Sequence, residues 1–170
     1  MSEERKSSPQ TAPFGEALQE GAPELRRFAR ALVGPVSTRT ADALVQTATA
    51  RISASERLNG DPLERAFAEI VRLNRRRVRE RGRAAEATDA AGGEAERRDM
   101  SVPAQISAMP LDERETLLIV TLAGYGYEAA GRILDLPVSS VVSRLMRARA
   151  RLDGAKPGVA PRSGHLRVVK

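Results

Sequence analysis

Four residues near the C-terminal end of the chain have the types and the spacing of a surface that binds a polyanion. Ser140, Arg144, Arg147 and Arg151 recur at three- and four-residue intervals, so they share one flank of a helix. An apolar row lies about a quarter-turn away and is formed by Val141, Leu145, Ala148 and Leu152. The pattern predicts a helix whose apolar row faces a core and whose basic flank faces solvent. Arginines placed in this way can donate to phosphates and to the acceptor edge of guanine.

Two shorter helices and a tight turn are predicted to hold this basic helix in place. The first begins at Pro110 and stops near Gly124, and its predicted buried side consists of Leu117, Leu118, Thr121 and Leu122. The second runs from about Tyr127 to Leu134, followed by the turn Asp135-Leu136-Pro137. Ser139 is the predicted N-cap of the basic helix. A helix, a short turn and a basic second helix form the helix-turn-helix that docks in a major groove.

An arginine-rich helix that is merely solvated is the alternative interpretation of this pattern. Arginine is a good helix former, so arginine runs alone favour that alternative. The Gly, Pro and Ser residues that separate the three predicted helices favour the helix-turn-helix instead.

The N-terminal half predicts three more amphipathic helices and no strand. The first opens at Pro23-Glu24, the second is capped by Thr38 or Thr40, and the third has Asp61 as N-cap with Pro62 in its first turn. Their predicted apolar faces are Leu25, Phe28, Ala29 and Leu32; then Leu44, Val45, Ala48 and Ile52; then Phe67, Ile70 and Val71, with Asn74 and Val78. The fold class predicted for the chain is therefore all-α.

The C-terminal helices resemble region 4 of the extracytoplasmic-function (ECF) sigma factors of the sigma-70 family, near the general-stress-response subgroup. The resemblance rests on Pro110-Leu111, the acidic run that follows, and GYGYEAAGRILDLPVSSVVSRLMRARARL. Val142 departs from the pattern, since many members carry Lys or Met there. In that family the module reads the minus-thirty-five promoter element, so the resemblance implies DNA contacts by Ser139, Ser140, Ser143, Arg144, Arg147 and Arg151.

The three N-terminal helices resemble region 2 of the same family through ELRRFARALVG, Asp42-Ala43-Leu44-Val45-Gln46 and Arg65-Ala66-Phe67. The resemblance implies core-polymerase contacts by Asp42, Leu44, Val45 and Gln46. It also implies minus-ten contacts by Asn74, Arg75, Arg76, Arg77, Arg79 and Arg81. This half departs further from the family, which usually has acids at the positions of Ala43, Thr47 and Val78 and Trp at that of Phe67.

Two small helical domains joined by a flexible linker are expected from these patterns. Residues 22–83 are predicted to be a region 2-like three-helix bundle, and residues 102–153 a region 4-like helix-turn-helix domain. The composition predicts a disordered tail over residues 1–21, a linker over residues 84–101 and a basic disordered tail over residues 154–170.

Composition argues against several classes of function. The chain has no Cys and only one histidine, His165, and it contains no nucleotide-binding glycine motif, so we expect no enzyme activity, no cofactor and no metal site. No signal peptide and no apolar run of about 18 residues is present, so a cytoplasmic protein without a membrane span is expected. The net charge of +6 predicts a polyanionic partner. An anionic membrane is the competing partner, but the basic helices lack a broad apolar flank.

These observations favour an ECF sigma factor that binds core RNA polymerase and promoter DNA and is regulated by an anti-sigma factor. A sigma-like mimic, which sequesters an anti-sigma factor without binding promoters, is the alternative. The reduced acidity of the region 2-like half favours the mimic, whereas the arginine-rich helix favours DNA binding. A simple helix-turn-helix regulator ranks third because no dimer interface or effector pocket is evident.

Overall fold

The computed structural model describes residues 14–34, 37–54, 60–85 and 101–153. Within these ranges the protein is all-α, as predicted, and no described helix is long and apolar enough to cross a membrane. The eight helices are α1 Phe14–Glu20, α2 Ala22–Val33, α3 Thr38–Ser53, α4 Pro62–Ala85, α5 Val102–Ala108, α6 Leu111–Thr121, α7 Tyr127–Leu134 and α8 Val138–Leu152. Most of the predicted linker, the predicted C-terminal tail and His165 lie outside the described residues.

Helices α2, α3 and α4 form the predicted three-helix group. Gly34 ends α2 with a φ of 95°, a backbone conformation that a residue with a side chain rarely adopts. The carboxylate of Asp61 accepts a hydrogen bond of 3.0 Å from the backbone N–H of Leu63, so Asp61 caps α4 as predicted. The predicted caps of α3 are wrong, because its N-cap is Ser37 and both Thr38 and Thr40 lie inside the helix.

The structure adds α1 in the range that composition assigned to a tail. Residues 14–20 are helical, and Leu18 is buried in the core of the N-terminal helices. Gly21 joins α1 to α2 at a close approach, where an added Cβ would lie 2.1 Å from Cδ2 of Leu63. A short helix of this kind has little propensity signal of its own and is stabilised by tertiary packing.

Helices α5 to α8 form the second group, and α5 has no counterpart in the sequence prediction. The turn after α7 is as predicted, with Asp135 in the left-handed conformation at a φ of 57°. Gly131 permits a close approach here, because an added Cβ would lie 2.8 Å from the carbonyl oxygen of Leu136. The prediction that Ser139 caps α8 is wrong. Pro137 is the N-cap, and the carbonyl of Ser139 accepts a hydrogen bond of 2.8 Å from the Ser143 hydroxyl.

The two groups of helices pack against each other around one apolar core. Phe67 of α4 is at its centre, with edge-to-face contacts to Phe28 at 5.0 Å and to Tyr125 at 5.4 Å between ring centroids. Two predicted core residues lie elsewhere: Val78 is 39% exposed, and Thr121 points to the surface. The halves that the sequence separates are therefore in direct contact, with α4 against α7 and α2 against α5 and α6.

Candidate nucleic-acid interface

Helix α8 presents one face to solvent and is anchored by the opposite one. Its anchor is the apolar row predicted from sequence, with Val141, Leu145 and Ala148 buried and Leu152 half-buried. It packs against α5, α6 and α7, which all belong to the C-terminal group. The outer face of α8 is formed by its exposed residues, which are Val138, Ser139, Ser143, Met146, Arg147 and Arg149. The contact between the two halves therefore leaves this outer face of α8 open.

The predicted basic flank of α8 is not simply solvated, because its arginines pair with acids of α6. The Nε of Arg147 lies 3.2 Å from Oε1 of Glu113, and the Nε of Arg151 lies 2.6 Å from Oε2 of the same carboxylate. Arg144 lies farther inward, with its Nε 3.6 Å from a carboxylate oxygen of Asp112. The expectation of a free, solvent-facing flank is thus corrected.

The six residues predicted for the minus-thirty-five element fall into two groups. Ser139, Ser143 and Arg147 are exposed on the outer face of α8. Ser140, Arg144 and Arg151 are half-buried, and both of these arginines pair with acids of α6. The structure also places Arg149, which the resemblance did not single out, on the exposed side of the same helix. A ligand that approaches α8 from solvent meets the first group and Arg149 before the second.

Residues predicted for the minus-ten element are divided between solvent and the interior of the protein. Arg76, Arg79 and Arg81 are exposed, and the Nε of Arg76 pairs with Glu80 at 2.9 Å. Asn74 is 1% exposed, and its Oδ1 accepts hydrogen bonds from Nε and Nη2 of Arg77 at 3.3 and 3.0 Å. Desolvation by burial, together with the charge of Arg81, lowers the pKa of Arg77.

Arg75, the remaining residue of that set, is turned toward the C-terminal half. Its guanidinium donates to a carboxylate oxygen of Glu115 from Nε at 2.9 Å and from Nη2 at 2.7 Å. It also donates from Nη1 to the carbonyl of Leu134 at 3.3 Å. Asn74 and Arg75 are therefore not available to a ligand in this arrangement, whereas the outward arginines of α4 are.

The four residues predicted to bind core polymerase are likewise split. Leu44 and Val45 are 8% and 5% exposed and belong to the inner face of α3, so they do not form a surface. Gln46 is exposed, and Asp42 is partly exposed with its carboxylate 3.7 Å from Nη2 of Arg30. Asp42 and Gln46 border a groove of about 540 Å³ between α1, α2 and α3.

Among the described residues, two ion pairs and three arginine-to-carbonyl hydrogen bonds, including the one from Arg75 to Leu134, accompany the apolar contact between the halves. Arg132 of α7 donates to both carboxylate oxygens of Glu64 in α4, at 3.1 and 2.7 Å. Arg75 and Glu115 form the second pair. Arg27 donates to the carbonyl of Leu122 at 2.9 Å, and Arg114 donates to the carbonyl of Leu32 at 3.0 Å.

Arg114 binds several backbone carbonyls from a largely desolvated position. Besides Leu32 in α2, it donates to the carbonyls of Ser107 and Met109, which lie at the end of α5. Desolvation by burial is the largest cause that lowers the pKa of Arg114. One guanidinium thus connects the ends of α2 and α5 with α6.

Glu113 and Glu115 are the polar residues that sequence reasoning missed. Glu113 lies in the first turn of α6, where the helix dipole alone would favour an acid, and Glu115 follows two residues later. A signal was present, because Glu113 lies four residues before Leu117, and Glu115 lies four before Ile119, both buried. Burial raises the pKa of Glu115, and the hydrogen bonds and charge of Arg75 oppose that shift.

Among the described residues no group of three or more acidic, histidine or cysteine side chains could hold a metal ion. The chemistry at α8 is instead that of serine hydroxyls and guanidinium groups on an anchored helix. These groups donate hydrogen bonds to phosphate and base oxygens. The fold and this surface define an all-α protein with a helix-turn-helix whose last helix exposes hydrogen-bond donors to solvent.

Comparison with solved structures supports the same fold over most of the chain. The sigma factor RpoE of Bartonella quintana, solved with the anti-sigma factor NepR, gives a TM-score of 0.64 at 22% identity and covers 83% of this chain and 94% of that one. The anti-anti-sigma factor PhyR of the same organism, also with NepR, gives 0.58 at 17% identity over 82% of this chain and 49% of that one. The PhyRSL-NepR complex of Sphingomonas sp. Fr1 gives a TM-score of 0.58 at 21% identity. That match covers 91% of this chain and 97% of the other.

Sequence comparison adds the family. Residues 99–152 match the family described as sigma-70, region 4. Over 50 residues the chain is 38% identical to the ECF RNA polymerase sigma factor EcfG of Rhodopseudomonas palustris, a match that covers 29% of this chain and 28% of that protein. Residues 99–152 therefore carry a sigma-70 region 4 domain, and the similarity to ECF sigma factors that the sequence predicted is confirmed over this segment.

Proposed function

We propose that this protein is an ECF sigma factor that brings core RNA polymerase to promoters and reads the minus-thirty-five element with α8. The observation that carries the proposal is the open outer face of α8, where Ser139, Ser143, Arg147 and Arg149 are exposed. This face belongs to the segment that matches sigma-70 region 4. Its groups suit phosphate and guanine acceptors in a major groove.

In this proposal α4 and α3 supply the contacts with the minus-ten element and with core polymerase. The exposed arginines Arg76, Arg79 and Arg81 are able to contact DNA without any rearrangement. Arg75 becomes available only when it leaves Glu115, to which it is paired at 2.7 Å. On α3, Asp42 and Gln46 remain the polymerase contacts, because Leu44 and Val45 are core residues.

The experiment is run-off transcription with core RNA polymerase from the same organism, with and without the purified protein, on fragments of its genome. Initiation at defined positions only when the protein is present is the expected result. Co-elution of protein and core on size exclusion provides the second readout. Absence of both core binding and transcripts would overturn the proposal.

A sigma-like mimic that sequesters an anti-sigma factor is the second candidate function. Its support is the likeness of the fold to PhyR, together with the small neutral residues Ala43 and Thr47 on the exposed side of α3. The solved relatives are complexes with NepR, so we propose an anti-sigma factor of that class as a partner under either function. Exchange of α8 arginines separates the candidates, because it should impair transcription by a sigma factor and leave anti-sigma binding nearly unchanged for a mimic.

A further inference from the structure

One buried carboxylate holds two arginines of the helix that carries the proposed DNA-binding face. Glu113 lies in the first turn of α6, and its side chain is only 5% exposed. Its Oε1 accepts a hydrogen bond of 3.2 Å from Nε of Arg147, and its Oε2 accepts one of 2.6 Å from Nε of Arg151. We infer that Glu113 is a positioning residue for DNA recognition, which it serves through these two guanidinium groups. The inference rests on the proposed function.

The bonding pattern leaves the DNA-binding ends of both arginines free. A guanidinium has five N–H donors, and Glu113 uses only the single Nε donor of each. Within the described part of the chain, the terminal nitrogens of Arg147 and Arg151 have no hydrogen-bond acceptor. These terminal nitrogens form bidentate pairs with phosphate or with guanine. Glu113 therefore fixes the Nε end of each guanidinium and leaves the terminal Nη1 and Nη2 groups available to a ligand.

Because these two side chains are already held in place, DNA binding loses less side-chain conformational entropy. A free arginine loses much of its rotamer freedom when it is fixed in one geometry. Because Arg147 and Arg151 are already held by opposite oxygens of one buried group, that ordering occurs on folding. Their spacing of four residues places them one helical turn apart, so the pair presents donors along the axis of α8.

Asp112 offers a matched control for the charge of Glu113. It is the preceding residue, its side chain is 47% exposed, and its oxygen lies 3.6 Å from Nε of Arg144, beyond hydrogen-bond distance. Removal of either acid deletes one negative charge near the same helix. If charge alone mattered, both Asp112→Asn and Glu113→Gln would strengthen DNA binding, since an acid repels phosphates.

The experiment measures DNA affinity and specificity of the full chain. Wild-type protein first selects duplexes from a library with a randomised centre, and the selected duplex and a scrambled one are then titrated at several salt concentrations. A glutamine at position 113 has one acceptor oxygen, so it can hold only one of the two Nε groups. We expect Glu113→Gln to lower the selected-to-scrambled affinity ratio about tenfold, the effect of one lost base contact. Asp112→Asn should leave that ratio unchanged.

A second measurement distinguishes positioning from a general loss of structure. In a variant that already lacks both arginine side chains, Arg147→Ala with Arg151→Ala, the further change Glu113→Gln should no longer alter the affinity ratio. Thermal unfolding shows that the compared variants are folded. An unchanged or increased ratio in Glu113→Gln, with wild type selecting a sequence, would overturn the inference alone. Failure of wild type to select any sequence, even with core polymerase present, would overturn it together with the proposed promoter function.

Discussion

The carboxylate of Glu115 is 1% exposed and accepts two hydrogen bonds from the guanidinium of Arg75, at 2.9 and 2.7 Å, across the contact between the two halves of the protein. Arg75 belongs to the helix proposed to approach the minus-ten element, and Glu115 belongs to the domain proposed to read the minus-thirty-five element. Arg75, a residue predicted to bind DNA, is therefore also part of the contact that holds the two halves together. Because one partner is buried and the other is one-third exposed, the two should respond differently to substitution.

Substitution of Arg75 should be much more damaging than substitution of Glu115. Arg75→Met leaves a buried carboxylate without its hydrogen-bonded counter-charge and should lower the free energy of unfolding at pH 7 by roughly 3 kcal/mol. Glu115→Gln leaves an arginine that can reach water and should cost less than about 1 kcal/mol. Chemical denaturation of the two variants and wild type measures the difference. Equal losses would contradict the asymmetry of the pair.

The loss in Arg75→Met should depend on pH. Burial raises the pKa of Glu115 even beside Arg75, and removal of the arginine raises it further. A carboxyl with a raised pKa contributes stability when it is protonated, below its unfolded pKa, and that contribution is lost as pH rises through the folded pKa. Arg75→Met should thus approach wild-type stability near pH 4.5 and fall behind toward pH 7. A deficit that is constant with pH would refute this account.

The aromatic contact between Phe67 and Tyr125 should contribute to closure of the two halves. Tyr125→Ala removes the edge-to-face pair and part of the shared core, and we expect a loss of about 2 kcal/mol in the free energy of unfolding. The radius of gyration from small-angle X-ray scattering should increase as the halves separate more often. Tyr125→Phe is the control, because it retains the ring and should change neither quantity appreciably.

Arg147 should contribute more to promoter binding than Arg144. Arg147→Ala removes an exposed guanidinium and should weaken binding by roughly 1 to 3 kcal/mol if it contacts a base. A lost phosphate contact would instead lower the slope of log affinity against log salt by about 1. Arg144 is 24% exposed and turned toward Asp112, so its alanine variant should have a smaller effect. Arg39→Ala, an exposed charge on α3, controls for net charge.

Binding isotherms at several salt concentrations would test this ranking. The double variant with alanine at both 144 and 147 should show the flattest salt dependence. Affinity and salt slope like those of wild type in the double variant would remove α8 from the DNA contact.

The helix-turn-helix should not tolerate a side chain at Gly131. An added Cβ would lie 2.8 Å from the backbone oxygen of Leu136, so Gly131→Ala should force the turn apart and cost roughly 1 to 3 kcal/mol. Gly126→Ala is the matched control, because its φ is −66° and nothing lies within 4 Å of the added Cβ. Because Gly126 is the N-cap of α7, where Ala is less favourable than Gly, that control should cost less than about 1 kcal/mol. Thermal unfolding measures both, and equal effects would contradict the packing argument.

Local signals were sufficient to predict most helices of this protein. The start of α4 at Asp61-Pro62, the end of α2 at Gly34 and the bounds of α7 depend on neighbouring residues alone, through capping, proline geometry and glycine dihedrals. The apolar row of α8 also follows from helical spacing. Predictions failed for α1 and α5, because helices of seven residues depend on the helices against which they pack.

The ion-pair partners of the charged residues were decided by the tertiary structure. Sequence spacing placed Arg147 and Arg151 on one flank of α8, but only the packing of α6 beside it supplies Glu113 between them. Likewise, the sequence does not distinguish Arg75 from the other arginines of α4. Only the position of α6 in the fold places Glu115, 40 residues away in the sequence, beside it.

The sequence by itself therefore determined most of the helices, most of their apolar faces and the resemblance to ECF sigma factors, because these depend on residue type and short-range spacing. The tertiary structure decided which arginines remain free, since an ion pair depends on which helices meet in space. It also decided that the two halves share a core around Phe67, because burial of that ring requires surfaces from both.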